Sequence, residues 1–145
     1  MTKLSARGIV LKDGCVLLIY RENHNKIYYS IPGGKVDIDE TLKDTVVREV
    51  LEETSIKVKP VEFLGSFNHT KKNKQQNLFL CEYLNGEPKL GQSTESEKMS
   101  KNPANIYKPL WVDCKIINKL TIMPTPTSTF FKNYISKKIN TLETH

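Results

Sequence analysis

The chain has 145 residues, of which 38% are hydrophobic and 26% charged, with a formal net charge of +6. This is the composition of an ordinary globular protein, and the length fits one well-filled core rather than two. The longest apolar stretches, such as Cys15-Val16-Leu17-Leu18-Ile19, are strand-sized, which excludes a membrane-spanning helix.

Met1-Thr2-Lys3-Leu4-Ser5 carries no apolar core of a secretory signal, so a cytoplasmic protein with no membrane partner is expected. Cys15, Cys81 and Cys114 are odd in number and lack ligand spacing, which reads as free thiols in apolar surroundings. The positive charge is mostly lysine, in Lys71-Lys72-Asn73-Lys74, between Lys98 and Lys108, and at Lys137-Lys138. No basic segment is interleaved with aromatics as in a single-strand platform, so we read a lysine-rich surface rather than a dedicated nucleic-acid face. Such a surface still attracts a phosphate-bearing small molecule.

In chain order, residues 5–12 and 15–21 flank Asp13-Gly14 and predict a β-hairpin with a type I′ turn. Residues 28–31 predict a strand that Pro32-Gly33-Gly34 ends, a turn able to bring backbone close to a ligand. A helix is predicted from about Thr41 to Thr54, with Thr41 as N-cap and Asp44 three residues on. Val47, Val50 and Leu51 are expected to pack it onto a sheet.

Strands are expected at 56–66, 77–84 and 106–112, with a long polar loop over 86–105 and a short helix near 115–120. After Pro124 and Pro126 a closing helix should bury Phe130, Phe131, Tyr134, Ile135 and Ile139. Hairpins interleaved with helices predict an α/β (α+β) chain with a mixed sheet packed between helices.

Glu49, Glu52 and Glu53 stand at i, i+3 and i+4 on the predicted helix, so they share a face. We expect that face to lie opposite Val47, Val50 and Leu51. Three like charges there repel, and two lie in the last turn, where the helix dipole disfavours them. A hard divalent cation removes both penalties, and oxygen-only donors favour magnesium or manganese over zinc.

The full spacing, Gly34-x5-Glu40-x7-Arg48-Glu49-Val50-x-Glu52-Glu53-x-Ser55-Ile56, resembles the Nudix box, G-x5-E-x7-R-E-U-x-E-E-x-G-U with U apolar. All fixed positions match except the last glycine, here Ser55, which would have to accept a left-handed helix cap. The box spans residues 34–56. The preceding hairpin, the Pro32-Gly33-Gly34 lead-in and the strand from Tyr107 to Asp113 extend the resemblance, and residues 1–145 fit one such domain.

The resemblance implies an α/β/α sandwich and hydrolysis of a nucleoside diphosphate linked to another group X. It implies that Glu52 and Glu53 hold magnesium or manganese, with Glu49 as third ligand or base. It implies too that Arg48 pairs with Glu40, and that Gly33 and Gly34 shape the phosphate pocket. Loop carboxylates Glu95 and Glu97 are further candidates, Glu97 as a metal ligand, and Arg21 is a candidate for substrate phosphate.

A nucleoside triphosphate is the first expected substrate. A non-catalytic nucleotide sensor and an RNA 5′-end pyrophosphohydrolase are the alternatives, and a homodimer remains open. The proline expected about sixteen residues past the box in ADP-ribose hydrolases is replaced here by Lys72.

Overall fold

The computed structural model describes residues 2–89 and 105–143, with side chains described through residue 140. In order these form β1 (Lys3–Lys12), β2 (Cys15–Asn23), β3 (Lys26–Ser30), β4 (Gly33–Lys35), α1 (Leu42–Thr54) and β5 (Lys57–His69). A 3-10 turn (Thr70–Lys72), β6 (Lys74–Asn85), β7 (Asn105–Asp113), a second 3-10 turn (Cys114–Lys119), β8 (Ile122–Met123) and α2 (Thr125–Glu143) follow.

The Asp-Gly signal produces the expected turn. Asp13 and Gly14 both take positive φ, 51° and 77°, and set Lys12 opposite Cys15. A second such turn, His24-Asn25 with φ of 48° and 68°, joins β2 to β3. It lacks the Asn-Gly or Asp-Gly signature and went unread in the sequence.

The strands make one mixed sheet in the order β5-β6-β1-β2-β3-β8, with β4 on β1 and β7 on β2. β1 runs parallel to β6, and β3 parallel to β8; the other pairs are antiparallel. Side chains alternate across the sheet, as the two-residue period of a strand requires. Ile9, Val16, Leu18 and Leu78 therefore pack with Phe131 and Ile135 of α2. Ala6, Val10, Leu17 and Phe79 pack on the other side with Val46 and Val50 of α1. The result is the expected α/β/α arrangement. No described helix is long and apolar enough to cross a membrane.

α1 is rolled differently from expectation. Val46 and Val50 are fully buried, whereas Val47 and Leu51 are 38% and 39% exposed. Glu53 falls on the buried side, one turn beyond Val50. The carboxylate face therefore adjoins the apolar stripe rather than opposing it. The cause is that Glu49 and Glu53 must meet the backbone of β4, which turns Val47 and Leu51 outward. Closing helix α2 behaves as expected: Phe131 and Ile135 are buried, and Phe130, Tyr134 and Ile139 are partly so. Pro126 sits in its first turn, where a missing N–H leaves no helical bond unmade.

Candidate active site

Both ends of α1 are fixed by local chemistry. The Thr41 hydroxyl accepts a 3.0 Å bond from the Asp44 N–H, and the Thr41 carbonyl accepts from the Thr45 N–H. At the other end Ser55 takes the left-handed conformation, φ 66°, and donates its N–H to the Leu51 carbonyl at 2.9 Å. The box glycine is thus replaced without losing the cap, and Ser55 Oγ gains a 3.2 Å bond to the Lys89 carbonyl.

Between these ends α1 lies against β4, and two glycines make the approach possible. A Cβ on Gly33, whose φ is +152°, would lie 2.3 Å from the Ala6 carbonyl oxygen and 2.5 Å from Arg7 Cα. A Cβ on Gly34 would lie 2.6 Å from the carboxyl carbon of Glu49. The first clash is with rigid backbone and the second with the end of a flexible side chain. Gly33→Ala is therefore expected to destabilise the fold by about 3 kcal/mol or more, the scale of overpacking plus backbone strain. Gly34→Ala should displace Glu49 from Arg48 at a smaller cost, about 1 kcal/mol, so activity falls more than stability does.

Glu53 is the most unusual group. Its side chain is buried, and its two oxygens accept from the Gly33 N–H at 2.8 Å and the Tyr107 hydroxyl at 3.0 Å. Burial pushes its carboxyl up to about 7, against the opposing pull of the Gly33 N–H, Arg7 and the Tyr107 hydroxyl. The neighbouring Glu49 charge raises it further. Tyr107→Phe removes a donor that favours the charged form. A further upward shift is expected, visible as an alkaline displacement of the acidic limb of the pH–rate profile.

Arg48 ties the remaining carboxylates together. It donates from Nε and Nη2 to Glu40 at 2.7 and 2.9 Å, the two-point fork that suits a guanidinium. It also bonds Glu49 at 2.9 Å, Glu52 at 3.3 Å and the Lys35 carbonyl at 3.1 Å. Glu40 further accepts from the Thr45 hydroxyl at 2.6 Å and the Asp37 N–H at 3.1 Å. Arg48 and these donors hold the Glu40 carboxyl down to about 2, and Glu40 raises the Arg48 guanidinium in turn.

The structure thus brings Glu40, Arg48, Glu49, Glu52 and Glu53 together with Gly33 and Gly34. Arg21 stands elsewhere on the sheet, over the rings of Tyr28 and Tyr107 at 5.7 and 5.4 Å. Tyr107 links it to Glu53. Beside Tyr28 opens a cleft of about 480 Å³ lined also by Ile27, Asn23, Lys26, Thr121 and Met123. Glu95 and Glu97 lie outside the described residues. Sequence reasoning missed Tyr107 and Arg7 as neighbours of Glu53, because only strand register brings them there.

Among the described residues no three Asp, Glu, His or Cys groups already stand as a ready-made metal cage. Arg48 holds one oxygen of Glu49 and one of Glu52. The donor set nonetheless fits a hard divalent cation: oxygen only, negatively charged, and including a buried carboxylate whose ionisation a nearby cation would favour.

Residues 1–121 match the family model described as the NUDIX domain. Curated relatives include an ADP-ribose pyrophosphatase from Methanocaldococcus jannaschii, 33% identical over 93 residues, which are 61% of this chain and 55% of that protein. Another is an NAD-capped RNA hydrolase NudC from Photorhabdus laumondii, 32% identical over 78 residues, 54% of this chain and 30% of that protein. The chain thus matches about half of the first relative's length and 30% of the second's. Among solved structures, a MutT protein from Methanosarcina mazei Go1 is 25% identical with a TM-score of 0.67, over 94% of this chain and 95% of that one. With the box residues assembled on α1 and β4 as described, the chain belongs to the NUDIX domain family.

Proposed function

We propose that this protein hydrolyses a pyrophosphate bond in a nucleoside diphosphate linked to a further group X, using magnesium or, second, manganese. The observation that carries this reading is Glu53, a buried carboxylate on a helix that also holds Glu49 and Glu52 on the same side. Its two hydrogen bonds do not offset the cost of burying the carboxylate, which stays pushed up to about 7.

Glu52 and Glu53 are the proposed primary ligands, with Glu49 a third ligand or the base that takes a proton from water. When bound, the cation would neutralise charge on the pyrophosphate oxygens and make water more acidic. Gly33 orients Glu53 through its N–H, and Gly34 leaves room for the Glu49 carboxylate. Arg48, anchored on Glu40, positions Glu49 and Glu52 without taking part in bond making. Arg21 is held against Tyr28 and against Tyr107, which bonds Glu53, and is the proposed contact for a substrate phosphate.

Among such substrates, a nucleoside triphosphate is the first candidate. The relatives' names add ADP-ribose and NAD-capped RNA. An RNA end is the second reading, favoured by the exposed Lys71, Lys72 and Lys74. The test is a screen of nucleoside triphosphates, dinucleotides, nucleotide sugars and 5′-triphosphorylated RNA with magnesium, following phosphate and pyrophosphate release. Cleavage of at least one class supports the reading. Tight binding without cleavage would replace it with a nucleotide sensor. A steep loss of RNA turnover with salt, absent for free nucleotides, would select the RNA end.

A further inference from the structure

A second cavity, of about 130 Å³, has a lining that includes Arg7, which abuts Gly33, with His69, Lys72, Lys74 and Gln76. Three of these carry positive charge, and no residue lining the cavity is acidic. Arg7 is fixed in place: its Nε donates to Gln76 Oε1 at 2.8 Å and its Nη1 to the Ile31 carbonyl at 2.7 Å. Gln76 is itself 5% exposed, so the acceptor that orients Arg7 is built into the sheet. Lys72 and Lys74 are exposed, on stems long enough to follow a ligand at the mouth. Thr125 and Pro126, the first turn of the 19-residue helix α2, form another wall and bring the positive end of its dipole there.

The cavity is connected to the reaction centre through one residue. Arg7 packs directly on Gly33, whose N–H bonds Glu53. Its volume is well below the roughly 300 Å³ at which sites for whole ligands begin. It suits one tetrahedral oxyanion and not a base with its sugar.

We infer that this cavity is a subsite for a further phosphate group of the substrate, outside the scissile pyrophosphate, bound by Arg7, Lys72, Lys74 and His69. The choice of substrate then follows: among nucleoside diphosphate derivatives, the protein selects those that carry such a further phosphate, on X or on the nucleoside. The naming of the ligand rests on the pyrophosphohydrolase reading above; the anion subsite itself does not. The phosphate has two sources of the same chemistry, one on a phosphorylated group X, or the 3′-phosphodiester that the nucleoside of a 5′-triphosphorylated oligonucleotide carries.

Titration of the intact protein with inorganic phosphate at low salt, followed by NMR at the His69 ring and Arg7 Nε–H, tests the subsite without catalysis. Saturable shifts are expected, with affinity reduced at least about tenfold in Lys72→Ala/Lys74→Ala, since two charged contacts to the anion are lost. No saturable shift, or equal affinity in the double variant, overturns the subsite.

Its role in selection is read from kcat/KM for two substrate pairs: an X with and without a terminal phosphate, and a triphosphorylated dinucleotide against the free triphosphate. An at least tenfold preference in either pair, collapsing toward one in the double variant, supports selection and identifies the source. Ratios near one in both pairs overturn it. If no substrate is cleaved at all, the hydrolase reading fails, while the phosphate titration still decides the subsite.

Discussion

Glu53→Gln is expected to lower kcat by about 100- to 1000-fold, the scale of losing one electrostatic group from an active site, and yet to stabilise the metal-free protein at pH 8. The sign follows from burial. An ordinary glutamate carboxyl titrates near 4.5, and this one near 7 in the fold. Between those values the folded state retains a proton that the unfolded state has lost, so stability falls as pH rises from 4.5 to 7 and then levels off. The loss is on the order of 3 kcal/mol at about 1.4 kcal/mol per unit.

Glutamine keeps the shape and removes the titration. Denaturant midpoints without metal should therefore drop between pH 5 and pH 8 in wild type and stay flat in the variant. Glu40 does not confuse that window. Its carboxyl is depressed, so its stabilisation is complete above about 4.5 and is lost only as pH falls toward 2. Magnesium should restore wild-type stability at pH 8 and leave Glu53→Gln unmoved. Destabilisation of the variant at every pH would mean that Glu53 is a structural residue.

The second large effect is expected at Arg48. Its removal strips the Coulombic partner from Glu40, Glu49 and Glu52 in a single step. Glu40 and Glu49 are mostly buried, with side chains 14% and 16% exposed, while Glu52 at 41% is well screened by water. Weighting the two sheltered pairs above the exposed one gives about 2 to 3 kcal/mol for Arg48→Ala, below the 3 to 5 of a fully buried pair.

Arg48→Lys should recover less than half of this. A single ammonium cannot make the two-point contact with Glu40 and still reach Glu49, Glu52 and the Lys35 carbonyl. Activity should fall with stability, and high magnesium should recover part of both in Arg48→Ala. A melting temperature within 2 °C or so of wild type would show that the carboxylates do not depend on Arg48.

Much of the site was legible in the chain. Glu40 and Arg48 stand eight apart in the box, and the fork between them is present. Thr41 and Asp44 mark the helix start, and Ser55 supplies the left-handed cap in place of glycine. What was not legible depends on tertiary placement. The roll of α1 was misjudged because a hydrophobic count assigns glutamate to water, whereas Glu53 occupies a position that an apolar residue would normally fill. Tyr107 meets Glu53 across 54 residues only because β7 pairs with β2 in one register. Arg7 reads as an ordinary strand residue until β4 folds its glycines against it. Local signals carry the capped helix and its carboxylates; long-range pairing sets their environment.

The central claim is that the α1 carboxylates serve metal-dependent cleavage of a pyrophosphate bond. Its most direct test is ³¹P NMR of substrate turnover in ¹⁸O-labelled water, with and without magnesium, for wild type, Glu52→Gln and Glu53→Gln. The account predicts ¹⁸O in one phosphate product, strict dependence on the added cation, and rates lower by about 100-fold or more in both variants while each remains folded. Wild-type rates in both variants, or turnover unaffected by removing the cation, would contradict it.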